Sequence, residues 1–111
     1  MKHFILALAI LTAGTAYGQE AKVIRIAPTP SSSVSVAELA DSAQKKCVGV
    51  SITVNGDKAD YLLEAAYKAR GTRGLREYTL LSTDGDVLFH TQTYGYDNAM
   101  KDVCKYLGRA R

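Results

Sequence analysis

A chain of 111 residues, 47% hydrophobic and 23% charged, holds enough material for one small folded domain and not for two. Its 14 basic and 11 acidic residues leave a net charge of +3, too slight for the concentrated basic face that nucleic-acid binding needs.

The amino terminus carries the three parts of a secretory signal peptide. Lys2 and His3 make a positive start, and Phe4 to Ala13 is an uncharged apolar stretch. Gly14-Thr15-Ala16-Tyr17-Gly18 then supplies small residues at Ala16 and Gly18, as an A-x-A-like cleavage site requires. The expected cut releases residues 1–18 and leaves Gln19 first. The apolar run is shorter than the roughly 20 residues that span a bilayer, and no similar run follows. No cysteine near the cut can take a lipid. The expected product is exported to the periplasm or beyond, with no transmembrane segment. Processing removes Lys2 and His3, so the mature balance is 13 − 11 = +2, and His90 is the one remaining histidine.

Ala21 to Ala27 reads as a short strand, and residues 28–33 (PTPSSS) as a loop, so that residues 19–34 form an N-terminal strand and a Pro/Ser-rich linker before an α/β domain over 35–111. A helix follows with full entry signals. Ser35 and Glu38 have capping-box spacing, and Val34 and Leu39 have that of a hydrophobic staple. Val36, Leu39, Ala40, Ala43 and Cys47 share one apolar stripe, and Lys45 and Lys46 suit the dipole of the last turn. Gly49 to Val54 alternates as a half-buried strand stopped by Asn55-Gly56-Asp57.

Residues 57–70 (DKADYLLEAAYKAR) fit two readings. As a helix they carry Leu62, Ala65, Ala66 and Ala69 on a stripe, with Gly71 at the end; as a strand they place Tyr61, Leu63, Ala65, Tyr67 and Ala69 on one face. Propensity favours helix, and periodicity does not decide. Residues 76–82 and 86–93 read as a hairpin turning at Asp84-Gly85. The last element is a helix from about Asn98 to Leu107, capped by Asp97 and ended by Gly108, with Met100, Val103, Cys104 and Leu107 inward.

Cys47 and Cys104 are the only cysteines, and both face the core side of their helices. An oxidising destination makes them an expected disulfide. Closing so long a loop contributes about 4 kcal/mol in the chain-entropy model, a large share of the stability of a domain this small.

Lys58-Ala59-Asp60-Tyr61-Leu62-Leu63-Glu64, the turn Asp84-Gly85-Asp86 and the ending Asn98-Ala99-Met100-Lys101-Asp102-Val103-Cys104 together resemble a group of small exported bacterial proteins of unknown role with the same two-cysteine framework. The resemblance covers about residues 35–107 and implies a strand at the ambiguous segment. The expected fold is α+β: a single small domain of order β-α-β-β-β-α, with a mostly antiparallel sheet and two helices packed on one face. That order is similar to the small α/β domains of bacterial envelope accessory proteins, such as the TolB amino-terminal domain and the curli-secretion lipoproteins. Domains of that type bind protein partners.

The chemistry-bearing residues are few. His90 sits mid-strand with no second histidine to build a metal site. Asp84 and Asp86 flank Gly85 without the later oxygen ligands of a calcium loop and read as turn residues. No nucleophile elbow, phosphate loop or H-E-x-x-H occurs. No catalytic residue, metal or cofactor is expected. Arg70, Arg73 and Arg76, in a loop made adaptable by Gly71 and Gly74 between two expected strands, are the candidate contacts for an anionic partner, because guanidinium groups bind carboxylate and phosphate bidentately. A surface cluster among Tyr61, Tyr67, Tyr78, Tyr94, Tyr96 and Tyr106 would mark a protein-binding face. The first expectation is therefore an exported non-enzymatic domain that binds a protein partner in the cell envelope. The second is an anion- or lipid-headgroup-binding module using the arginine stretch; a small hydrolase is a distant third.

Overall fold

The structure is a computed structural model, and it describes residues 22–111. The expected signal peptide, residues 1–18, lies outside the described residues. Among the described residues the chain forms β1 (Ile24–Pro28), α1 (Val36–Lys46), β2 (Val50–Ile52), a 3-10 turn at Gly56–Lys58, β3 (Tyr61–Arg70), β4 (Arg73–Leu81), β5 (Val87–Tyr94) and α2 (Asn98–Tyr106). This is the expected alternation of strand, helix, run of strands and helix, with the run made of four strands. The class is α+β.

The five strands form one sheet in the order β2-β1-β3-β4-β5. Its two short ladders, β1 with β2 and β1 with β3, are parallel, and its two long ladders, β3 with β4 and β4 with β5, are antiparallel. Two hydrogen bonds carry the β2–β3 connection past β1: Thr53 N–H donates to Ile26 O at 2.9 Å and Asp60 N–H to Arg25 O at 2.8 Å. The Asp60 carboxylate in turn accepts from Arg25 N–H at 2.8 Å.

Both helices cover one sheet face. Ile26, Leu63, Ala65, Tyr78 and Leu80 from the sheet meet Leu39 and Ala43 of α1 and Met100 and Val103 of α2, all buried. Cys47 and Cys104 are disulfide-bonded at the helix–helix contact, with Cα atoms 5.7 Å apart. Among the described residues no helix is long and apolar enough to cross a membrane.

The ambiguous segment is a strand. Tyr61, Leu63 and Ala65 alternate onto the covered face, opposite Ile26, Leu80 and Tyr78. Ladders on both sides outweigh the helix propensity of its Ala, Leu, Glu and Lys residues.

Residues 29–33 carry neither helix nor strand, as expected of a loop, and they are tied along β3. Ser33 and Val34 N–H both donate to Ala65 O (2.8 and 3.1 Å), the Ser32 hydroxyl joins Leu63 O to Ala65 N–H, and Ser33 Oγ accepts from Tyr67 N–H at 2.9 Å. The serines thus continue the pairing of β3 where Pro28 ends β1, because a short hydroxyl side chain can serve backbone groups that no strand reaches. Two expectations, both about helix caps, need correction: the capping box of α1 is only half formed. Ser35 Oγ accepts from Glu38 N–H at 3.1 Å, but the Glu38 carboxylate turns away to Arg76. Asp97, expected as a side-chain cap for α2, makes no cap bond and instead accepts from Ser42 Oγ at 2.7 Å, tying the two helices together.

Candidate partner-binding site

The residues between Arg70 and Arg76, expected as a loop, are almost entirely strand. β3 and β4 pair up to Arg70 opposite Arg73, and only Gly71 and Thr72 turn. Gly71 has φ +63°, a conformation that a side chain disfavours. Alternation then separates the three arginines. Arg70 and Arg73 lie on the helix-free face, while Arg76, opposite Tyr67, points to the helix side.

Arg76 is largely covered and fully engaged. Its Nε and Nη2 hold both oxygens of Glu38, the latter at 3.1 Å, and Nη1 donates to Gly95 O at 3.3 Å. The rings of Tyr67 and Tyr96 flank the guanidinium, with centroids at 4.9 and 5.3 Å. The hydrogen bonds to Glu38 raise its already high pKa. Arg73 lies over the ring of Tyr94 at 4.0 Å, and Lys45 over that of Tyr96 at 5.7 Å. Lys45 also pairs with Asp41 at 3.0 Å, and that hydrogen bond raises its pKa.

Three of the tyrosines named from the sequence gather at this end of the sheet. Tyr67, Tyr94 and Tyr96 are 45%, 40% and 47% exposed, each with a cation against its ring. Tyr67 and Arg76 form one wall of a concavity of about 340 Å³, closed by Ser33, Val34, Ser35 and Glu38. Gly74 makes the arrangement possible. A Cβ there would stand 2.5 Å from Tyr67 Cε1 and 2.7 Å from its hydroxyl oxygen, so this glycine provides room for a ring rather than the flexible backbone its composition suggested. The other tyrosines serve elsewhere: Tyr106 stacks on Phe89 at 5.1 Å, Tyr61 packs at the core margin, and Tyr78 is fully buried.

A second polar group on the helix-free face was missed in the sequence. Glu77 accepts from Gln92 Nε2 at 2.9 Å, pairs with Lys68 at 3.0 Å and bonds His90 Nε2 at 2.9 Å. Hydrogen bonds from Gln92, Lys68 and His90, in that order of weight, pull its carboxyl down to about 2. The signal was there in the alternation: 77 and 68 share a face, and the antiparallel register sets Gln92 opposite Glu77. The neighbouring hollow of about 260 Å³ holds Glu64, Ala66, Lys68, Glu77 and Thr79. His90 thus has a carboxylate partner, and among the described residues no serine hydroxyl bonds its ring.

Asp84 and Asp86 sit in the β4–β5 turn, closed by Gly85 N–H to Ser82 O and Ser82 N–H to Asp86 O, both 2.9 Å, with Gly85 at φ +95°. Among the described residues no group of three His, Cys, Asp or Glu side chains is placed to hold a metal ion. No family model, curated protein or solved structure matches this chain.

Proposed function

We propose that this chain is an exported, non-enzymatic domain that binds a protein partner in the cell envelope through the Tyr67–Arg76–Tyr96 end of its sheet. One observation carries the reading: two half-exposed tyrosine rings lie against an ion-paired arginine, and Tyr67 and that arginine line a concavity at the surface. Tyrosine and arginine are the residues that protein interfaces concentrate, because they bring large contact area and hydrogen-bonding tips with few rotatable bonds to immobilise. A monomer gains nothing in solubility from leaving such rings half bare. The disulfide is compatible with an oxidising compartment outside the cytoplasm.

The test is site-specific photocrosslinking in the native compartment, with a photoreactive residue at Tyr67 or Tyr96 and a control at Val54, which is 80% exposed at the far side of the sheet. The reading expects one protein species captured from Tyr67 and Tyr96, absent from Val54, and lost when the other tyrosine of the pair is changed to alanine. Equal capture from Val54, or none from either tyrosine, refutes it.

A second reading, binding of an anion or lipid headgroup, has its own observation. Arg70 and Arg73 stand opposite each other at the hairpin tip and project to the same face. Arg76, committed to Glu38, drops out of that site. Sedimentation with vesicles of anionic lipid separates the readings: salt-sensitive binding abolished by Arg70→Ala with Arg73→Ala, while the Tyr67 crosslink persists, supports the second alone.

A further inference from the structure

The sheet has two edges, and they are built differently. The β2 edge is three residues long, and shortness is one of the ordinary protections against unwanted strand pairing. The β5 edge is eight residues long and reads Val87-Leu88-Phe89-His90-Thr91-Gln92-Thr93-Tyr94. It contains no lysine, arginine, aspartate, glutamate or proline, and so lacks every side chain that natural edges use to repel a neighbouring strand. Its one irregularity is the register shift that places Leu88 as an extra residue near the turn, leaving Phe89 to Tyr94 regular.

Apolar surface follows the same edge. Val87 is 65% exposed, Leu88 36% and Tyr94 40%, and Tyr106 of α2, stacked on Phe89, is 49% exposed. Only one bond reaches the β5 backbone from outside the ladder among the described residues, from Asn98 Nδ2 to Tyr94 O at 2.9 Å.

The two ends of β5 are oppositely charged. Asp84 and Asp86 precede Val87, and the Arg73 guanidinium covers Tyr94 at the other end. We infer that the β5 edge is the contact between two copies of this chain, paired antiparallel about a twofold axis near Thr91. Antiparallel pairing sets the acidic turn of each copy beside the Arg73–Tyr94 end of the other, so the charge match is made twice by symmetry. It also places His90 opposite Gln92 of the second copy, on one face as pleating requires, and brings the exposed Leu88 beside the Tyr94 end of the second copy. A parallel or foreign strand would not find its acidic and basic ends matched in this way. The product is a continuous sheet twice as wide.

The experiment is sedimentation velocity on the processed, oxidised chain over a concentration series, with a charge exchange. The inference expects a concentration-dependent dimer. Asp86→Lys or Arg73→Glu alone raises its dissociation constant by about ten-fold, since the axis removes two ion pairs at once, and the double variant regains the parent value. Leu88→Lys, on an exposed position, gives a folded monomer by circular dichroism. A monomer at every concentration overturns the inference. So does a dimer that ignores Leu88→Lys, or single exchanges that the double does not rescue.

Discussion

Glu38 and Arg76 meet through two hydrogen bonds although 38 residues separate them, and this one pair joins the first turn of α1 to the middle of β4. The same guanidinium reaches Gly95 O beyond β5, so three parts of the chain are fixed around it. The side chains are 12% and 16% exposed. Their hydrogen bonds are charge-assisted and poorly replaced by water, which raises each above the typical neutral bond.

Arg76→Lys should therefore cost about 2 kcal/mol, because an ammonium cannot span both Glu38 oxygens and Gly95 O. A double-mutant cycle with Glu38→Gln should return a coupling of about 1–2 kcal/mol in urea unfolding. A coupling near zero would mean that the pair only decorates the surface.

The disulfide should dominate the stability of the domain. Cys47 and Cys104 close a loop with a sequence separation of 57, worth about 4 kcal/mol in the chain-entropy model. Replacing both with alanine should lower Tm by roughly 15–30 °C for a domain of this size. Scanning calorimetry of the oxidised and alanine forms measures it, and a drop of only a few degrees would show that the core alone carries the fold.

Much of this architecture was legible in the residues. Leu39, Ala43, Met100, Val103 and both cysteines fell on helical stripes, and the structure buries them, because amphipathic periodicity is a local property. What escaped was non-local. The serine run lies beside β3 only because β1 ends at Pro28, and the capping role of Glu38 gave way to a partner 38 residues distant. The spread Arg70–Arg76 looked like a loop since its glycines suggest one; in fact Gly74 yields to the Tyr67 ring, a neighbour known only once the register is fixed. For the same reason the exposed tyrosines could not be told from the buried Tyr78.

Tyr78 offers a sharp test of burial. Its ring is fully buried and its hydroxyl makes no hydrogen bond, and burial, reinforced by nearby Glu38, pushes its pKa up. An orphaned buried hydroxyl costs about 1–3 kcal/mol. Tyr78→Phe should thus leave stability unchanged or raise it by up to about 1 kcal/mol, whereas Tyr78→Ala should cost about 3–5 kcal/mol through the cavity it opens. A clear loss in the phenylalanine variant would show that the hydroxyl is bonded.

Gly74 connects packing to the proposed binding end. Gly74→Ala should displace the Tyr67 ring from the Arg76 guanidinium, since the new methyl would stand 2.5 Å from Tyr67 Cε1. The expected result is loss of the Tyr67 crosslink with the fold retained, judged by circular dichroism and by the crosslink yield at Tyr96. Full retention of the Tyr67 crosslink would separate ring placement from binding.

Glu77 gives the pH dependence. Its folded pKa is about 2, against an ordinary value of 4.5, because Gln92, Lys68 and His90 all favour the carboxylate. A depressed carboxyl contributes stability that is present above the unfolded pKa and is lost as pH falls through the folded one. The loss attributable to Glu77 should therefore fall between about pH 4.5 and pH 2. Unfolding midpoints measured across that window should slope downward in the parent chain and flatten in Glu77→Gln. Gln92→Ala, which removes the strongest of the three bonds, should move the Glu77 titration upward by NMR, and Lys68→Ala should move it less. An identical acid slope in parent and Glu77→Gln would place the acid sensitivity on another carboxylate.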